Sequence, residues 1–140
     1  MGALIEYELG KYYRDLGHWP EAQSHFIAAR DVFRYDEADP VFNAELAWGI
    51  LSNLGFIEHQ FGHLNAAEQM YLQSLEFFKE LGSRGSMTTL LVRLATLDEQ
   101  RGNRAASLQY AREALDWSRR LGLALEQVQA EALLQRLENV

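Results

Sequence analysis

The chain has 140 residues, 48% of them hydrophobic and 24% charged, no cysteine, a formal net charge of −7 and a pI near 5.0. That balance suits one soluble globular domain. The lack of cysteine excludes disulfides, thiolate metal sites and a cysteine nucleophile, and it fits a reducing, cytoplasmic setting. The acidic balance argues against nucleic acid as a direct partner, because such binding draws on Lys and Arg against phosphate. No apolar run can span a bilayer, and residues 1–10 lack a basic region ahead of an apolar stretch, so neither a membrane segment nor a signal peptide is expected.

Apolar periodicity and its punctuation predict seven helices, near 3–16, 19–35, 40–60, 64–80, 85–100, 104–120 and 124–138. Leu9-Gly10, Gly17, Ala22 and Phe26 set a pattern in the first pair. Gly17 ends the first helix, since glycine accepts the left-handed conformation, and Pro20 suits the first helical position of the second. Asp39-Pro40 marks a fresh start. Leu54-Gly55, Gly62, Ala67 and Tyr71 then repeat the first set 45 residues on, and Asn65 with Glu68 resembles a capping box. A third copy follows at a shift of 40, where Leu91, Leu94, Gln100, Gly102 and Ala106 answer Leu51, Leu54, Gln60, Gly62 and Ala66. Asn103 is its cap, and Leu81-Gly82 recurs as Leu121-Gly122.

The five extra residues of the first copy fall around Arg34 to Pro40. Connections this short make neighbouring helices antiparallel. Gly10, Gly55 and Ala95, and likewise Ala22, Ala67 and Ser107, are small enough for the paired helices to approach closely. Phe26 and Tyr71 fill the space between successive pairs, where the third copy has Ala111. The expected organisation is a single domain with repeats at 3–39, 40–82 and 83–122 and a capping helix at 123–138. In that last helix Leu125, Val128, Leu133, Leu134 and Leu137 are expected to shield the third pair.

Little in the chain suggests catalysis. His59 and His63 are four apart, as two zinc ligands on one helical face would be, but Gly62 between them ends the helix. Carboxylate pairs such as Glu6/Glu8 and Glu131/Glu138 fit solvated faces better than an acid–base dyad. There is neither a nucleophile-elbow serine nor a phosphate loop. No catalytic residue, metal or cofactor is expected. Trp19, Phe26 and Tyr71 read as core, as on balance do Trp48 and Trp117, whereas Phe77 and Phe78 cannot both point inward.

Leu9-Gly10, Tyr13, Gly17, Trp19, Ala22, Phe26 and Ala29 stand at the spacing of the tetratricopeptide repeat signature, and the chain resembles that family over nearly its whole length. The units are longer than the family's usual one of about 34 residues. In this they look like repeats from the tails of bacterial signalling ATPases and transcription regulators. The resemblance implies a right-handed, all-α solenoid whose first helices line a concave, protein-binding face. Carried over position by position, that face holds Tyr7, Lys11 and Arg14, then Asn53, Phe56 and His59, then Arg93, Thr96 and Glu99. Some members clamp the carboxylate that ends a chaperone tail. Asn53 and Arg93 match that clamp while Tyr7, Lys11 and Thr89 do not, so strong recognition of such tails is not expected.

The leading expectation is a non-catalytic interaction scaffold, a module of a larger signalling or regulatory protein that binds a peptide or a neighbouring domain. The alternatives are a free-standing adaptor or chaperone-like carrier, and a homo-oligomerisation unit that pairs through the exposed end of its first repeat.

Overall fold

A computed structural model describes residues 2–33 and 40–139, with the side chains of 40–42 excepted. The described residues form seven α-helices and no strand: α1 (Gly2–Asp15), α2 (Trp19–Val32), α3 (Pro40–Gln60), α4 (Leu64–Leu81), α5 (Arg84–Gln100), α6 (Arg104–Leu121) and α7 (Ala124–Glu138). Their bounds follow the periodicity closely. The five-residue excess expected around Arg34 lies largely outside the described residues.

Five of the connections are one recurring corner. Gly17, Gly62, Gly82, Gly102 and Gly122 all have φ between 70° and 85°, and no other described residue type has positive φ. Only glycine takes this conformation without a Cβ penalty. At the first four corners the glycine N–H donates to the carbonyl three residues back, and the next N–H donates five back, at 2.9–3.2 Å. The carbonyls orphaned at a helix end are thereby satisfied. The residue after each glycine then starts the following helix. The carbonyls of His18, His63, Ser83, Asn103 and Leu123 accept from the N–H four residues on, at 2.9–3.1 Å.

This geometry corrects one expectation. Helix α4 begins at Leu64, so Asn65 is its second residue, and the capping position belongs to His63. Asn103 does cap α6, its Oδ1 accepting from the Ala106 N–H at 3.5 Å. Pro20 sits in the first turn of α2, where its missing N–H costs nothing.

The chain divides into two compact units, residues 1–70 and 71–140. In the first, α1 and α2 pack together and α3 lies against both. Its core joins Ala22, Phe26 and Ala29 of α2 to Leu46, Ile50, Leu54 and Ile57 of α3. Phe26 is fully buried, with its ring centroid 5.9 Å from that of Tyr7. The approach is close enough to require Gly10, because a Cβ there would stand 2.6 Å from the Phe26 ring. Trp19, expected in the core, is only half-buried, since it meets Phe56 edge-on at the rim of this cluster.

The second unit repeats that triangle with α5, α6 and α7. Ser107 is buried and donates to the Ala95 carbonyl at 2.7 Å, joining α6 to α5 through two of the predicted small residues. Phe78 is buried while Phe77 stays half-exposed, as one helix face demands. Tyr71 is fully buried, and burial pushes its phenol well above the usual value, an effect that the charge of Arg93 partly offsets.

Helix α7 packs through Ala130, Leu133 and Leu137. Leu125 and Val128, expected to shield the third pair, are 65% and 64% exposed instead. The stripe at 130, 133 and 137 is the one that faces α5 and α6, and it turns residues 125 and 128 outward.

Two stability measurements check this packing. Gly10→Ala is expected to lose about 1–3 kcal/mol in urea denaturation, because the added methyl overpacks Phe26. Gly85→Ala, where an added Cβ meets nothing within 4 Å, is expected to be neutral or to gain up to about 1 kcal/mol. The phenol of Tyr71 gives a pH signature. Its native pKa is raised, so its contribution is intact below the unfolded value of about 10 and is lost as pH rises from there toward the native value. Denaturation midpoints of the wild type should therefore fall more steeply above pH 10 than those of Tyr71→Phe.

Candidate functional site

Four of the nine residues expected on the binding face gather where α1 meets α3. Asn53, buried on α3, donates through Nδ2 to the Gly49 carbonyl at 2.9 Å and to the Tyr7 hydroxyl at 3.2 Å. Its Oδ1 accepts from Arg14 Nη1 at 2.6 Å. Arg14 is further steadied by Asp15, whose Oδ1 accepts from Nη2 at 2.9 Å and from Nε at 3.1 Å. The Lys11 ammonium sits 4.8 Å above the Tyr7 ring and 3.0 Å from Glu8. Helical spacing explains the cluster, since residues 7, 11 and 14 share one face of α1, as 49 and 53 share one of α3.

The network is organised by Asn53. A buried amide must satisfy both its donors and its acceptor, and here it does so by joining two cations' supports into one surface. Gly49 is part of the device: a Cβ there would stand 2.8 Å from the Tyr7 hydroxyl, so the glycine lets Tyr7 lie on the α3 backbone. The result is an aromatic ring flanked by two cationic groups held in place by hydrogen bonds. Such a surface can take carboxylates or backbone carbonyls from a partner.

The other two residues expected in the second repeat are placed differently. Phe56 is half-buried, with its centroid 5.7 Å from that of Trp19. His59 is buried at 5% exposure. His63 is exposed and has Nδ1 2.6 Å from Glu58 Oε2, so the two histidines share no open face. Among the described residues, no three His, Cys, Asp or Glu side chains gather to hold a metal ion.

In the second unit Arg93 and Thr96 are half-buried on α5, and the Thr96 hydroxyl donates back to the Val92 carbonyl at 3.0 Å. Glu99 is held by Arg136 of α7, whose Nε and Nη2 each donate to one carboxylate oxygen at 3.0 Å. This charge-assisted pairing raises the Arg136 pKa further. Sequence reasoning missed Arg136, although a signal existed. Glu99–Arg136 and Thr89–Glu126 are both 37 residues apart, three short of the 40-residue repeat shift. Tyr7 and Gly49 stand likewise three short of the 45-residue shift. Helix α7 therefore lies beside α5 as α3 lies beside α1.

A double-mutant cycle on Arg14→Ala and Asn53→Ala tests the cluster. The coupling is expected near 1.5–3 kcal/mol, the range for a hydrogen bond to a charged group. The exposed Glu99–Arg136 pair should couple by less than about 1 kcal/mol and weaken with salt.

Comparison with known proteins agrees with this geometry over one helix pair. Residues 49–81, from Gly49 through α4, match a family model described as the tetratricopeptide repeat. No curated protein matches the chain.

Proposed function

We propose that this chain is a protein-binding scaffold that takes an extended peptide segment across α1 and α3, since its residues 49–81 match a model of the tetratricopeptide repeat, a family whose repeats mediate protein–protein interactions and are typically non-catalytic. The observation that carries this reading is the Tyr7–Asn53–Arg14 network, which fixes a cation and an aromatic hydroxyl on adjacent first helices. Lys11 and Arg14 would take carboxylates or carbonyls of the segment, and the Tyr7 ring would pack against its apolar side chains. Arg93 and Thr96 would offer contacts on α5 within the second unit, where the Glu99 carboxylate is already engaged by Arg136. No helix among the described residues is long and apolar enough to cross a membrane. We place the scaffold in the cytoplasm, as a module of a larger signalling or regulatory protein, with a domain of the same polypeptide or a separate protein as its partner.

Peptides selected on the chain from a random displayed library would test this. Their affinity should fall about tenfold or more, roughly 1.4 kcal/mol, on Arg14→Ala, and should stay unchanged on Arg30→Ala, an exposed cation of α2. Amide shifts on binding should concentrate in α1 and α3. Selected peptides indifferent to both Arg14→Ala and Tyr7→Ala would refute the site.

A further inference from the structure

One tryptophan of the second unit lies against two arginines. The ring of Trp117, half-buried near the end of α6, has the Arg84 guanidinium 5.0 Å from its centroid and that of Arg120 5.5 Å away. Arg84 is the first residue of α5, so both helices of the pair contribute. Exposed Arg119 adjoins them on α6.

The three cations are not placed alike. Arg119 and Arg120 stand in the last turn of α6, where the helix dipole favours positive charge. Arg120 also meets Asp116 at 3.2 Å, and Arg119 meets Glu131 at 4.0 Å. Arg84 stands at the opposite end of its helix, where the dipole disfavours a cation and the first turn holds no acid. Its Nη1 reaches the Met87 sulfur at 3.9 Å, and among the described residues no carboxylate pairs with it. The guanidinium therefore rests on the ring with donors to spare.

The repeat shows that this grouping is not needed to build the fold. Shifted back by 40, and then by a further 45, Trp117 becomes Phe77 and Val32. Each is apolar, and neither is fully buried. Arg84 and Arg120, shifted back by 40, become Ala44 and Glu80. An outward apolar residue thus recurs with the architecture, whereas the second copy has neither cation over it.

We propose that Arg84, Trp117 and Arg120 form a second protein-binding surface, whose partner is an acidic, extended segment. A guanidinium laid over an aromatic ring keeps N–H groups for carboxylates, which it can take in bidentate pairs. Two such groups within 5.5 Å of one centroid suit carboxylates at alternate positions of an extended chain, about 7 Å apart. Tryptophan and arginine are the side chains that most often dominate protein interfaces, and here they are ordered before a partner arrives. Charge decides the class of partner. Asp116 and Glu131 lie beside the arginines, and the whole chain carries −7. A few carboxylates match that balance, whereas a nucleic acid or an anionic membrane presents a phosphate array that the chain repels.

The probe is a short peptide of alternating Glu and Ala with blocked ends, added to the full chain at low ionic strength. The readout is the indole N–H resonance of Trp117, assigned by its loss in Trp117→Phe. Saturable shifts are expected with a midpoint below about 1 mM, and they should weaken as salt is raised. Arg84→Gln should lower the affinity about fivefold or more. Arg112→Gln, which removes an exposed cation paired with Glu138, should change nothing. Retained helical circular dichroism is the control for folding. Equal binding of a peptide with Gln in place of Glu, or normal binding by Arg84→Gln, would overturn the proposal. So would the absence of saturable shifts. Binding to phosphatidylserine vesicles that depends on Arg84, without a response to the peptide, would assign the patch to a membrane and overturn it as well.

Discussion

The architecture depends on how each helix is handed to the next. A single left-handed glycine closes one helix, and the residue after it opens the following one, so that five connections contain no residue outside a capping role. The corner satisfies carbonyls at one helix end while launching the next helix in a set direction. Its bonding pattern recurs with little change, and within each unit it sets paired helices side by side, α1 with α2 and α5 with α6. The triangle α1–α2–α3 reappears as α5–α6–α7, and the contacts of Tyr7 with Gly49 and of Thr89 with Glu126 each fall three residues short of the repeat shift.

Much of this was legible in the residues because corners and close approaches leave chemical marks. Glycine at 17, 62 and 102 announced positive φ, and glycine or alanine at 10, 22, 67 and 95 announced helices in near contact. What the residues did not disclose were choices between equivalent faces. Helix α7 carries apolar side chains around most of its circumference, so periodicity alone could not decide that Leu133 turns inward and Val128 outward. The capping role of His63 was obscured for a related reason. Its backbone carbonyl does the work, and Asn65 beside it has the more familiar capping side chain.

The candidate site was legible only as a set of positions. Tyr7, Lys11, Arg14 and Asn53 do converge, because positions four and seven apart return to one face. That Asn53 would bridge Tyr7 and Arg14 could not be read without the α1–α3 register. Phe56 and His59 occupy the same helix yet are drawn into packing, one against Trp19 and the other into the interior. Glu99 illustrates the converse. A carboxylate read as available is engaged by a helix whose register followed from the same repeat shift.

Corners without spare residues make the length of the chain between them a structural quantity. One residue added inside a helix would turn everything downstream by about 100°, exchanging buried for exposed positions along each later element. An added residue at a glycine corner would separate the carbonyl that ends one helix from the amide that begins the next. Variation in length is therefore confined to where no such corner stands, and of the connections in this chain only the one between α2 and α3 lacks a left-handed glycine of this kind among its described residues. The repeat spacing in the sequence also puts there the residues by which the 45-residue unit is expected to exceed its 40-residue neighbour. Related chains should differ in length there and keep the five corners in step.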